Sequence, residues 1–306
     1  MIAKTAWVFP GQGAQYPGMG RGFPFAVAVV RGIFEEAETL CGQPLRRLAQ
    51  EASADTLRDP AVLEPMLTAF ALSYAALLQE RGHQPSAVAG YSAGAIAALC
   101  CAGVIDRASA LTIAARRGRL LREVAPRHAG RLTAAFDLSA EKLLAVTAAD
   151  DVEVAGWNAP DHLTFVASES AMREVIEKIA AAGGHCFPVD VAGAWHSERA
   201  APVAEHVARL LQDFEFKTPR IPFYCSVSGT RESAPERLRA HLAAQIHRPV
   251  MWHAAIGNLR AREGIDRFLE VGCGRTLHGL TRRVAAFAGD ALSFLNLYQH
   301  LEPAHA

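Results

Sequence analysis

Ala89-Gly-Tyr-Ser-Ala-Gly-Ala-Ile-Ala-Ala-Leu99 sets one serine, Ser92, between two glycines, behind the apolar run Ala87-Val-Ala89 and ahead of an alanine-rich stretch of helical character. The pattern reads as strand, sharp turn, helix. A serine at such a turn sits on strained backbone with its hydroxyl pushed outward, and the glycines remove side chains that would clash there. The following helix aims its first amides and the positive end of its dipole at the same point, which suits a developing oxyanion. By composition alone G-x-S-x-G arises in about one chain of this length in ten, so the rest of the sequence has to support the assignment.

The chain has 306 residues, enough for one large domain or a large and a small one. Hydrophobic residues make up 51% and charged residues 20%, with Lys+Arg and Asp+Glu balanced at 31 each. That balance argues for a soluble globular protein and against nucleic acid as a partner. Cys41, Cys100, Cys101, Cys186, Cys225 and Cys273 form neither a metal-ligand spacing nor a disulfide framework, and they read as reduced thiols of a cytoplasmic protein. The N-terminal apolar run is too short for a signal peptide, and no stretch is expected to span a membrane.

Residues 6–9 form a short apolar β-type run that ends at Pro10 and the glycine-rich loop Gly11-Gln-Gly-Ala-Gln-Tyr-Pro-Gly18. A strand entering such a loop is the pattern of nucleotide-binding turns, but the third glycine of the dinucleotide fingerprint and the Gly-Lys-Ser/Thr of a P-loop are both missing. The loop can instead lend a backbone N–H and the Gln12 side chain to a site beside Ser92. Residues 25–50 and 60–81 carry helical periodicity, and 63–78 is apolar nearly all round, as a buried helix would be. Asp106 opens a basic helix over 108–124 with Arg116, Arg117, Arg119 and Arg122. Its apolar positions point inward around Arg117-Gly118, so one arginine can turn toward the site while the others form a solvated face.

Residues 130–190 change character. Strands over 132–138, 152–157, 163–168 and 185–191, with helices over 140–147 and 170–182, give β-α-β-β-α-β, the ferredoxin-like unit. The expected architecture is thus α/β: a large α/β-hydrolase-like domain with a parallel sheet (1–128 and 194–306), interrupted by a small ferredoxin-like subdomain (129–193). The cleft between them is a natural ligand site. Beyond it come a helix opened by Ala194-Trp-His-Ser-Glu198 and running to 214, a β-type run at 221–227, helices from 235 and over 252–262, a buried strand at 268–271, a helix over 276–286, a last strand at 293–297 and a loose tail at 302–306. Ser92 needs a base, and His196 stands out among twelve histidines because it lies where the small subdomain returns to the large one. No acid singles itself out to orient that imidazole, and a backbone carbonyl would serve.

These motifs, in this order, resemble the malonyl-CoA:acyl carrier protein transacylases of fatty-acid and polyketide synthesis and their related acyltransferase domains. The matching pieces are Phe9-Pro-Gly-Gln-Gly-Ala-Gln15, Gly90-Tyr-Ser-Ala-Gly94, Arg117-Gly118, Trp157-Asn-Ala-Pro160, Ala194-Trp-His-Ser197, Gln245 with Pro249-Val-Met-Trp252, and Phe268-Leu-Glu-Val-Gly-Cys-Gly274. The resemblance implies Ser92 as the acyl-carrying nucleophile and His196 as general base and acid, oriented by a carbonyl near Gln245. It implies an oxyanion hole from the amides of Gln12 and Ala93, and Arg117 as the clamp on a malonyl carboxylate, a task suited to a planar guanidinium. Tyr91, Asn158 and Trp195 would line the substrate pocket. The partners it implies are malonyl-CoA, which is a substrate and not a cofactor, and an acidic acyl carrier protein, acting on a monomer without metal, nucleic acid or membrane. A buried Arg117 facing no charged acyl group would be costly.

The departures from the family pattern bear on specificity. Tyr91 stands where His is usual, and with Ala114-Ala-Arg-Arg117 it is similar to the transacylase subunit of malonate decarboxylase. Trp195 narrows the space for an α-substituent and favours malonyl over methylmalonyl, whereas the small Ala93 leaves room. The alternatives are an acyl hydrolase clearing carrier proteins, a transferase of another acyl unit in a polyketide pathway, and the malonate decarboxylase subunit.

Overall fold

Alternate residues of the first strand, β1 (Thr5–Phe9), point to opposite sides of a sheet, and this places two cores. Trp7 and Phe9 pack into the larger core, Ala6 and Val8 into the smaller one. Burial on both faces suits a parallel sheet, and β1 pairs in parallel with β2 (Ala87–Gly90) on one side and β9 (Arg267–Glu270) on the other. The computed structural model describes residues 4–124, 130–148, 151–191, 193–287 and 293–296. Among these the main sheet runs β10-β9-β1-β2-β7-β8, with β10 at Ser293–Asn296 and β7 at Phe223–Tyr224, both parallel to their neighbours. The edge strand β8 (Arg231–Glu232) is antiparallel.

The larger core is covered by α1 (Ala28–Cys41), α2 (Leu45–Glu51), α3 (Pro60–Glu80), α4 (Gly94–Cys101), α5 (Arg107–Val124), α8 (Ala201–Leu211) and α9 (Pro235–Ala244). On the opposite face α10 (Trp252–Glu263) and α11 (Thr276–Phe287) bring Trp252, Ile256, Leu259 and Leu277 onto Ala6, Val8, Ala87 and Ala89. Helix α3 starts where the Asp59 carboxylate accepts from the Ala61 N–H and Pro60 fills the first turn, as expected of an N-terminus. By length and composition alone α3 could cross a membrane, contrary to the sequence expectation. Yet 94% of its most apolar window is buried inside the protein, which makes it a core helix.

A second, separate sheet is antiparallel throughout, in the order β4-β5-β3-β6, from β3 (Arg131–Phe136), β4 (Val152–Ala159), β5 (His162–Ala167) and β6 (His185–Val189). Helices α6 (Ala140–Thr147) and α7 (Glu169–Ala181) cover one face through Leu143, Met172, Val175 and Ile179. The succession β-α-β-β-α-β matches the sequence expectation. Strand β4 leans on the large sheet's side of the molecule: Trp157 N–H donates to the Val250 carbonyl (2.7 Å) and Val250 N–H to the Ala155 carbonyl (2.9 Å).

Local differences have local causes. The expected helix over 25–50 is two helices, because Gly42 takes a left-handed conformation (φ 70°) that ends α1. The run at 221–227 contributes only two residues of strand before the turn at Gly229 returns the chain as β8. The helix after His196 begins as a 3-10 turn, Glu198–Ala200, and ends at Leu211 rather than 214. Residue 297 and the tail at 302–306 lie outside the described residues.

Candidate active site

The site lies at the carboxyl ends of β1, β2 and β9, where open parallel sheets place their ligands. Ser92 follows β2 on left-handed backbone (φ 51°), and the turn is locked by close contacts that only glycine permits. A Cβ on Gly94 would lie 2.1 Å from the Phe9 carbonyl oxygen, and one on Gly90 2.3 Å from the Ala95 nitrogen. A Cβ on Gly11 would meet the Tyr91 carbonyl at 2.4 Å, so the loop after β1 lies directly against the serine turn. The backbone N–H groups of Gln12 and Ala93 flank this point, and among the described residues neither donates to another protein group. They are available to an incoming oxyanion.

Ser92 Oγ is 2.8 Å from His196 Nε2. On the far side of the ring, His196 Nδ1 lies 3.1 Å from the Arg248 carbonyl. A carbonyl only accepts, so Nδ1 carries the proton and Nε2 is left to accept from the serine. His196 is also on left-handed backbone (φ 63°), with its own N–H donating to the Ile246 carbonyl at 2.7 Å. Burial pushes the imidazole down to about 4, helped by the Arg117 charge and opposed by the carbonyls of Arg248 and Gln245. The ring is therefore neutral, and a base, at pH 7. The sequence places the orienting carbonyl near Gln245. The hydrogen bond is made three residues later, by the Arg248 carbonyl, with the Gln245 carbonyl as an additional influence.

The Gln245 side chain, almost fully buried, joins two parts of the site. With its amide oriented to satisfy its bonds, Nε2 donates to the Ser92 carbonyl (2.9 Å) and Oε1 accepts from Arg117 Nη1 (2.8 Å). Arg117 is the arginine of α5 that turns inward, at 2% exposure, while Arg116 and Arg122 stay at the surface. Its approach depends on Gly118: a Cβ there would lie 2.4 Å from the Pro60 carbonyl, so glycine lets α5 close onto the start of α3. Across that contact Arg117 Nη2 donates to Glu64 Oε1 at 2.9 Å, and Gln12 Nε2 donates to the same oxygen at 3.0 Å. Glu64 was missing from the sequence-derived set. Its signal is its charge, the sole one in α3 between Pro60 and Gln79, where every other side chain is apolar or an uncharged polar group.

These groups face one cavity of about 420 Å³, lined by Gln12, Ser92, Arg117, Asn158, Trp195 and His196 among others. Tyr91 also lines it and donates to Asn158 Oδ1 (2.9 Å), while Asn158 Nδ2 donates to the Thr164 hydroxyl (2.9 Å). Gly193 makes space for Trp195, since a Cβ there would lie 2.5 Å from the indole ring. All nine sequence-derived residues thus converge on the turn or the cavity. The arrangement offers a serine with its base, two free amides beside it and a guanidinium in the same pocket, which is what covalent acyl transfer of an anionic acyl group requires. Among the described residues no group of three or more His, Cys, Asp or Glu is placed to hold a metal ion.

The acyl transferase domain family model matches residues 6–283. The malonyl CoA-acyl carrier protein transacylase of Escherichia coli K12 is 31% identical over 289 residues, covering 92% of this chain and 93% of that protein. A solved malonyl-transacylase in complex with a type II PKS acyl-carrier protein superposes with a TM-score of 0.88 at 30% identity, over 98% of this chain and 99% of that one. An acyl carrier protein S-malonyltransferase from Vibrio cholerae gives 0.86 at 29% identity, with 96% of each chain covered. The chain belongs to the malonyl CoA-acyl carrier protein transacylases of the acyl transferase domain family.

Proposed function

We propose that the protein moves a malonyl group from CoA to the phosphopantetheine thiol of an acyl carrier protein through an acyl-enzyme on Ser92. The observation that carries this reading is the 2.8 Å Ser92–His196 contact in the same cavity as Arg117. In the first half-reaction His196 Nε2 takes the Ser92 proton as Oγ attacks the thioester carbonyl. The amides of Gln12 and Ala93 receive the oxyanion, and CoA leaves as a thiol with the proton from His196. In the second half the carrier-protein thiol gives its proton to His196 and displaces Ser92 by the same route. Arg117 holds the free carboxylate of the acyl group with donors not already used by Glu64 and Gln245, since a guanidinium has five N–H groups. Tyr91, Asn158 and Trp195 shape the acyl end of the pocket. Neither step calls on a cofactor.

The division into a catalytic body (1–128 and 194–306) and an inserted subdomain (129–193) is supported by the two separate sheets. The strand, Ser92 turn and α4 support reading the larger body as hydrolase-like. Six free thiols favour a reducing, cytoplasmic setting for what we read as a monomer. Intact-mass measurement after mixing with malonyl-CoA tests the proposal. A malonyl adduct should form on the wild-type chain, be absent in Ser92→Ala, and disappear when a carrier protein bearing a free phosphopantetheine thiol is added. Rapid CoA release with no adduct and no carrier-protein acylation would instead establish a hydrolase.

A further inference from the structure

Glu64 takes no part in the steps above, yet it holds the group on which the acyl carboxylate depends. It is fully buried on α3, and its Oε1 accepts from Arg117 Nη2 (2.9 Å) and Gln12 Nε2 (3.0 Å). Its other oxygen, Oε2, has no partner among the described residues, and neither has Arg117 Nε. Arg117 and Gln12 both line the cavity, so Glu64 stands directly behind the acyl-binding wall. It supplies from within the chain the counter-charge that a malonyl group would bring. Two ionised carboxylates on one guanidinium would leave a buried excess negative charge, and carboxylates sharing such a site keep a proton between them.

We propose that Glu64 determines acyl specificity as the internal counter-ion of Arg117: it takes up one proton when a malonyl carboxylate docks, so that preference for malonyl over uncharged acyl groups weakens as pH rises. The inference rests on the malonyl reading given above. The proton comes from solvent and is placed on Oε2, the unpartnered oxygen. Glu64 is faced by Arg117 from α5 and by Gln12 from the loop after β1. Behind Arg117 stand Gln245 and His196. Arg117 is the charged group whose field acts on Glu64 among the described residues. Burial raises the Glu64 carboxyl above its ordinary value, and the Arg117 charge and the bonds from Gln12 and Arg117 hold it down. A second carboxylate on Arg117 weakens that hold. His196, at about 4, stays neutral above pH 6 and adds no titration of its own.

The test is the rate of Ser92 acylation by malonyl-CoA and by acetyl-CoA between pH 6 and 9, on the full chain and on Glu64→Gln. The malonyl-to-acetyl ratio cancels any titration of CoA or of the serine–histidine pair. For the wild type the ratio should fall with rising pH, approaching about tenfold per unit where one proton is linked. In Glu64→Gln it should be flat, and malonyl loading at pH 8 should be at least about tenfold faster than in the wild type. Should that variant not fold, proton uptake by the wild type decides, read with an indicator dye as one extra proton per malonyl adduct relative to acetyl. A pH-independent ratio in the wild type, or a Glu64→Gln variant that keeps the slope, overturns the proposal alone. Absence of any Ser92-dependent malonyl adduct at every pH overturns the acyl-transfer reading as well.

Discussion

Arg117 and Glu64 are individually costly and tolerable only together. Removing one ion of a buried pair strands the other and typically costs about 3–5 kcal/mol. Arg117→Ala should therefore lose roughly that much at pH 8, measured by urea unfolding. Burial already raises the Glu64 carboxyl above its ordinary value, and without Arg117 only the Gln12 bond still holds it down, so its folded-state pKa rises further above the unfolded value. The folded state favours the protonated acid, so stability is retained at low pH and lost as pH rises through that folded pKa. The deficit of Arg117→Ala should accordingly shrink toward pH 5, and a deficit that does not change with pH would contradict the pairing. Ser92, His196 and Arg117 were legible in the sequence because each sits in a motif whose neighbours are forced by geometry. The Arg248 carbonyl was not, since a backbone acceptor has no residue type to betray it. Glu64 escaped for a different reason: a lone acid in an apolar helix does not say which cation it faces until α3 and α5 are packed.

At the scale of elements, the contact between α3 and α5 is set by an absent side chain. Gly118→Ala would place a methyl group 2.4 Å from the Pro60 carbonyl, so α5 must shift outward. Overpacking of this kind costs about 1–3 kcal/mol, visible as a lower urea midpoint. The shift also carries Arg117 away from Glu64 and Gln245, so malonyl loading should fall more than acetyl loading. An equal fall in both would mean that α5 does not position the guanidinium. The long elements were readable because apolar residues repeat with the period of their helix or strand, and α3, α5 and α7 stand within a few residues of the expected bounds. The β-type run at 221–227 was readable too, but not its reduction to the two residues of β7 nor the return as β8, because pairing so short is decided by the turn that follows and by the neighbouring β2 rather than by any repeat of its own.

Across the whole molecule several contacts among the described residues hold the smaller sheet to the larger body, Arg199 to Glu153 and Tyr91 to Asn158 among them, and two more bear on the cavity. One is the backbone bridge between Gly156 and Val250. The other is Arg283 of α11, which donates to Asp161 (2.6 Å) and Asp137 (2.7 Å) and lies over the Phe136 ring at 5.0 Å. Arg283→Ala should cost only about 1 kcal/mol of global stability, as expected of partly exposed pairs. It should nevertheless raise hydrogen exchange in the β4–β5 hairpin and raise the KM for malonyl-CoA, because that hairpin carries Asn158 into the cavity. Unchanged exchange would show that the remaining contacts suffice. The placement of His196 has a further consequence, one of time. On the proposed reading the nucleophile is at position 92, its base at 196 and the carbonyl that sets the base's tautomer at 248, while β9, which flanks β1, is complete only at residue 270. A chain emerging from the ribosome therefore has its serine turn long before it has a working pair. On that reading it stays chemically silent toward thioesters until residue 248 has been made, so the onset of acylation serves as a clock for the folding of this domain.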